Sequence, residues 1–434
     1  MKRCYAIGAM LARILILLVF AHHLYARDDF DFAETKEPAG FGLPVSGRIS
    51  FEGARQLDNP ERFIRLGPAA ELVMDADTPI GQFYFEGLGR YNLSYRIEND
   101  PDLTRKDYET ETILRELFWK NNMARFTLSF GKIINDFTVM DLLQVADKTS
   151  AVNRADYWFA DPKEVKLGQN MLKLDYFAST ETNAGFIAVP FPAFDRVTDQ
   201  EHPYALVKNQ ELHETGDTPD MEGSLFVSTS FAKSQFTLFG GRFNNRMPIL
   251  EARPGTNTMS LYKVYADYWS AGGTVSACHE PFLFKAELAY NFDRPLQARQ
   301  NQLPAGFARK NEVEVALGAD INLGDFGMAS LECLAKIPDG GNERLAINRP
   351  AFFGAFTWSD TYRNDKLKLQ FMTLCAESFI NMINRCRVDY FLTNTLSVAA
   401  KYTRFDINEK KEDYGFMDHY SRVDLSFNYD FNLE

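Results

Sequence analysis

The sequence predicts an all-β protein, a single transmembrane antiparallel barrel of about 16 strands (roughly 14–18). Three observations carry that expectation: period-two alternation along most of the chain, a leader-like N-terminus, and aromatic residues gathered at strand ends. The alternation is sharpest in VDLSFNYDFNLE, where Val423, Leu425, Phe427, Tyr429 and Phe431 share one parity. Asp424, Ser426, Asn428 and Asp430 share the other. Such a strand has two unlike faces. The apolar face turns inward in a soluble sandwich and outward, to lipid, in a membrane barrel.

Taken in order, the first element is a leader. MKRCYAIGAMLARILILLVFAHHLYA opens with Lys2 and Arg3, continues into an apolar stretch and reaches Leu24 and Ala26 in the spacing a signal peptidase reads. Arg13 interrupts the apolar stretch, which makes a poor membrane span. Cleavage after Ala26 would remove Lys2, Arg3 and Arg13 and no acid, taking the formal charge from -12 to -15. A chain this acidic is unsuited to nucleic acid. Residues 27–43 are expected to form a periplasmic segment, and 44–434 the barrel.

The same alternation recurs along 44–434. Phe126, Leu128 and Phe130 oppose Arg125, Thr127 and Ser129; Leu172, Leu174 and Tyr176 oppose Lys173 and Asp175. Phe284, Ala286, Leu288 and Tyr290 oppose Lys285 and Glu287, and Val313, Val315 and Leu317 oppose Glu312 and Glu314. Leu367, Leu369 and Phe371 oppose Lys366, Lys368 and Gln370, and Val388, Tyr390 and Leu392 oppose Arg387 and Asp389. The alternation of Tyr91–Glu98 predicts one strand over 81–98 with Arg96 on its polar face, and 258–270 and 271–279 read as two strands. Residues 108–120 suit a helix or a strand. Paired aromatics such as Tyr84 and Phe85, Phe352 and Phe353, and Tyr429 and Phe431 suit interfacial girdles. A sheet in lipid must close on itself, because every backbone N–H and C=O needs a partner.

Two stretches break the pattern, 134–169 and 191–220, and each is an outer loop or one that folds into the lumen. Four cysteines follow the leader, and Cys375 and Cys386 either flank one hairpin and pair or are small hydrophobes facing lipid or a neighbour.

Within this frame, Leu114 to Phe194 resembles the DUF1302-like, porin-related family of Gram-negative outer-membrane barrels. The resemblance rests on FGKIINDF, VMDLLQVADKTSAVNRADYWFADPKE, KLGQNMLKLDY and AGFIAVPFPAF. It implies an outer-membrane barrel that passes small molecules, with Asp141, Asp161 and Pro162 as loop positions and no catalytic residue.

Catalytic motifs are missing: GxSxG, HExxH and a Walker loop do not occur. His202 and His213 share the acidic loop without a ligand spacing. No enzyme activity, metal or cofactor is therefore expected. The chemistry falls to the water-facing parity. Its pore-lining candidates are Arg96, Arg125, Lys173, Asp175, Lys285, Glu287, Glu312, Glu314, Lys366, Lys368, Arg387 and Asp389. Asp136, Asp141, Asp161, Lys163 and Glu164 are the candidates for a constriction loop. With both signs present, a weak or moderate ion preference is expected. The expected function is a porin-like channel for passive diffusion of small hydrophilic solutes or ions. Its partners would be outer-membrane lipids, lipopolysaccharide, the barrel-assembly machinery and the solutes. The alternatives are a transporter of hydrophobic molecules, for which Phe177, Phe391 and Phe405 lie on the polar parity, a plugged structural barrel, and an outer-membrane hydrolase.

Overall fold

The computed structural model describes residues 44–58, 61–98, 109–154, 159–197, 212–214, 219–254, 259–298, 306–340, 345, 350–376, 381–407 and 420–433. The expected leader and His202 lie outside them.

Eighteen strands form one antiparallel sheet. They are β1 (Val45–Gln56), β2 (Arg62–Thr78), β3 (Gly81–Tyr91), β4 (Thr110–Met123), β5 (Phe126–Ile133) and β6 (Gln169–Phe177). Next come β7 (Thr182–Phe191), β8 (Glu222–Phe231), β9 (Ser234–Asn244), β10 (Asp267–His279), β11 (Phe282–Gln297) and β12 (Phe307–Asn322). The circuit ends with β13 (Met328–Pro338), β14 (Ala351–Tyr362), β15 (Leu367–Ala376), β16 (Asn381–Phe391), β17 (Leu396–Asp406) and β18 (Arg422–Leu433). The sheet closes where β1 pairs with β18, Val45 opposite Leu433 and Gln56 opposite Arg422.

Exposure decides which way the faces turn. On β18, Leu425, Phe427 and Tyr429 are 51%, 59% and 49% exposed, whereas Asn428 is 6% exposed. On β11 and β12, Phe284, Leu288 and Leu317 point out, and Lys285, Glu287, Glu312 and Glu314 are buried inside. This is the inverted arrangement, an apolar belt around a polar interior, and such a belt is a surface for lipid. Phe427→Arg should therefore cost about 2–4 kcal/mol, the range for a cation on the lipid face near the midplane. Urea unfolding from liposomes measures it, with inward-facing Asn428→Ser as the mild control.

The eighteen strands stand at the upper end of the expected 14–18, and local chemistry explains the altered boundaries. The predicted strand 81–98 stops at Tyr91, because the Asn92 side chain accepts from the N–H groups of Leu66 (3.0 Å) and Ser94 (3.1 Å). A one-turn helix, Ser94–Ile97, follows. The ambiguous 108–120 is strand β4. Residues 271–279 belong to β10, while Met259–Val264 leaves the barrel for a small sheet with Ile249–Pro254 and Leu212–Glu214. Cys375 lies opposite Met382 and Cys386 opposite Phe371, a stagger along the hairpin that no disulfide spans, and both thiols are free.

Strands β2, β4, β6, β8, β10, β12, β14 and β16 leave by short turns. The connections of more than five residues all lie at the other end, among them the one between β5 and β6. Near the end of β5 the adjoining ladders close in on the backbone and require a glycine. Gly131 has φ +134°, and a Cβ there would stand 2.3 Å from the Leu117 carbonyl oxygen.

Candidate functional site: a loop across the lumen

Residues 134–154 and 159–168 fold into the barrel and are held at three places. The first is the exit from β5, where Ile134 N–H donates to Glu116 at 2.7 Å. Lys166, on the returning limb, meets Asp136 and Asp147, the latter at 2.7 Å. Burial, then the neighbouring Asp147, pushes the Asp136 carboxyl up, with Lys166 opposing.

The second place is the far wall. The Glu287 carboxylate, on β11, accepts from the N–H groups of Val139 (2.6 Å), Met140 (3.0 Å), Val145 (2.7 Å) and Ala146 (2.8 Å). Glu332, on β13, accepts from Asp141 (2.7 Å), Leu142 (3.0 Å) and Leu143 (2.8 Å). Two carboxylates thus satisfy seven backbone donors of an irregular segment that has no sheet partner. The wall between them is made shallow by Ala289, Ala316 and Ala355, against which Met140, Leu143, Val145 and Ala146 pack together with Phe226, Phe239 and Leu334. At Gly318 a Cβ would stand 3.0 Å from Met140 Sδ. Lys285 bridges Asp141 (2.7 Å) and Asp320 (2.6 Å), and Lys148 reaches Glu314. Burial pushes the Lys148 ammonium down, opposed by Glu314.

The third place is the loop tip. Lys401 donates to the Phe159 carbonyl at 2.6 Å, and the Arg422 guanidinium lies 3.5 Å from the Phe159 ring centroid. Phe159 is buried with Ile64, Ile383, Phe405 and Tyr420. Asp161 meets Arg385 at 3.5 Å and Arg387 at 3.8 Å. The second long stretch braces the first: Asp195 accepts from Val152 N–H at 2.9 Å and pairs with Arg154 at 2.6 Å.

The loop therefore covers the inner wall of β11–β14. Between the loop tip and the wall of β1–β4 and β16–β18 lies a polar cleft. Its lining carries Arg48, Arg65, Arg90, Arg115, Arg387, Lys401 and Arg422 against Glu52, Glu71, Glu164 and Asp424. An acidic chain thus presents a cleft with an excess of basic groups. Many of these are paired, Arg48 with Asp430 at 2.7 Å and Arg387 with Asp389 at 2.9 Å among them, so the excess is moderate.

The sequence candidates divide accordingly. Arg387 and Glu164 line the cleft, Asp389 orients Arg387, and Lys368 is half-buried opposite Asp389. Lys285, Glu287, Glu312 and Glu314 stand inside but are committed to the loop or to ion pairs; Glu312 holds Arg294 at 2.7 Å. Lys173 and Asp175 pair at 3.6 Å on the β6 wall. Three depart from the strand reading. Arg96 is in the Ser94–Ile97 turn, paired with Glu109 at 2.5 Å. Arg125 is in the β4–β5 turn next to Ala124, whose φ is +48°. Lys366 ends an exposed turn in which Arg363, Asn364 and Asp365 have φ of +57°, +55° and +63°. Asp136, Asp141, Asp161, Lys163 and Glu164 all belong to the inward loop, Lys163 in the turn Pro162–Val165. Parity reasoning passed over Arg48, Lys401 and Arg422, although each stands on the inward face of an alternating strand.

No protein-family model and no curated protein matches the chain, so the DUF1302-like resemblance gains no support from either. Solved structures do match. OccAB2 of Acinetobacter baumannii aligns with TM-score 0.54 at 9% identity, over 91% of this chain and 98% of that one. OccK2 (OpdF) of Pseudomonas aeruginosa in complex with glucuronate aligns with TM-score 0.51 at 11% identity, over 91% and 100%. OpdK of the same organism with vanillate gives TM-score 0.51 at 10% identity, over 91% and 100%. At these identities the likeness is one of fold: this chain shares with them a closed all-β barrel.

Proposed function

We propose that this protein is an outer-membrane channel that passes small hydrophilic solutes by diffusion and favours anions, carboxylates in particular. One observation carries the reading: a loop crosses the lumen and leaves a cleft whose lining holds seven basic and four acidic side chains. The acids of β11–β13 are consumed by the loop or by ion pairs on the wall, so the mixed lumen expected from parity is sorted into an acidic anchor and a basic passage. The glucuronate and vanillate bound by barrels of similar fold are both carboxylates, which supports the same class. Against a hydrophobic solute stands Phe405, which is packed on Phe159 and so belongs to the anchor of the loop tip. Lipid and lipopolysaccharide would meet the outer belt, and the barrel-assembly machinery would insert it.

The test is a planar bilayer with a salt gradient. Discrete conductance steps with a reversal potential on the anion side, reduced by added glucuronate, are expected. A cation-side potential, or insertion without conductance, would sink the proposal.

A further inference from the structure

Resting on that reading, we infer that Asp161 is a built-in competitor: its carboxylate occupies the anion seat formed by Arg385 and Arg387, and a permeating carboxylate takes its place.

The loop tip lays three acceptors on the cationic wall. The Phe159 carbonyl takes Lys401 at 2.6 Å, the Ala160 carbonyl takes Arg385 at 3.3 Å, and the Asp161 carboxylate meets Arg385 and Arg387. These contacts are of two strengths. Phe159 is 1% exposed and sits under Arg422, so it fixes the tip mechanically. The Asp161 side chain is 53% exposed, and its contacts of 3.5 Å and 3.8 Å are long beside the 2.9 Å pair of Arg387 with Asp389. Exposed, loosely seated pairs contribute little and exchange readily. Asp161 stands between Ala160 and Glu164, both of which line the cleft, so it is at the edge of the passage. Its geometry offers two guanidiniums to one carboxylate, the arrangement a carboxylate solute would need. Because Phe159 anchors the tip independently, Asp161 can leave its seat without releasing the loop.

The experiment compares wild type, Asp161→Asn, Asp161→Ser and Asp161→Glu in planar bilayers, after heat-modifiable mobility has confirmed folding. The readouts are reversal potential in a chloride gradient, single-channel conductance, and the concentration dependence of current block by glucuronate. For the Asn and Ser variants, glucuronate affinity should rise about two- to fivefold, the range expected from removing a weak exposed pair. Their reversal potential should move further to the anion side, with conductance near wild type. Asp161→Glu should block as wild type does. Unchanged or weakened block in both neutral variants overturns the inference. So does a large rise in conductance with loss of selectivity, which would make Asp161 a loop anchor. A wild type that prefers cations or ignores glucuronate would instead overturn the channel reading itself, so the two failures are distinct.

Discussion

Replacing Glu287 and Glu332 together by glutamine should release the constriction loop, raise single-channel conductance severalfold and reduce anion preference. Glutamine preserves the volume, so packing against Ala289, Ala316 and Ala355 is unchanged. The chemistry changes. Each carboxylate uses both oxygens: in Glu287, Oε1 serves Val139 and Met140 while Oε2 serves Val145 and Ala146. A glutamine places an NH2 where one oxygen stood and sets donor against donor. Leaving buried backbone donors unpaired costs about 1–3 kcal/mol each. Residues 138–146 have no strand partner. After two such losses the far-wall stretch keeps only the Lys285–Asp141 and Lys148–Glu314 pairs and its apolar packing, while Phe159 still holds the tip. The barrel itself should survive, since its ladders do not involve these side chains. Conductance and heat-modifiable mobility, measured on the same preparation, check both halves. Wild-type conductance in the double variant would mean that apolar packing and the remaining ion pairs suffice to hold the loop.

The barrel could be read from the chain because alternation is a local signal: Phe427 and Asn428 differ in exposure as their parity demands. Boundaries failed where a single side chain overrides propensity, as Asn92 does in ending β3. The covered wall of β11–β14 was not legible for a different reason. Glu287 in FKAELAY reads like any lumen acid, and its partner Val139 is 148 residues away. Parity says that a charge points inward; it does not say what folds over it. The same limit hid the sorting of charge, because Glu314 and Arg387 look equivalent until the loop covers one and leaves the other on the cleft.

Reversing the charges of Arg48 and Arg387 should turn the channel from anion to cation preference. Both line the cleft and lie on neighbouring stretches of wall, near enough for Arg387 to act electrostatically on Arg48. Each is held by one strand acid, Asp430 for Arg48 and Asp389 for Arg387. Arg48→Glu with Arg387→Glu removes two positive charges, adds two negative ones and leaves those two acids without their cations. The cleft then carries more negative than positive groups. The side chains are 44% and 27% exposed, so water can solvate the new carboxylates and the barrel should tolerate them. Arg422 would be the wrong choice, because at 2% exposure its reversal would bury an unpaired charge beside Asp424. The effect should be strongest in dilute salt, where the Debye length of ~10 Å at 0.1 M spans the cleft, and should shrink at 1 M, where it is ~3 Å. Reversal potentials at the two salt concentrations measure it. A potential that stays on the anion side in 0.1 M salt would place the selecting charges elsewhere in the lumen. The basic groups beside the loop tip would then serve only to hold the loop.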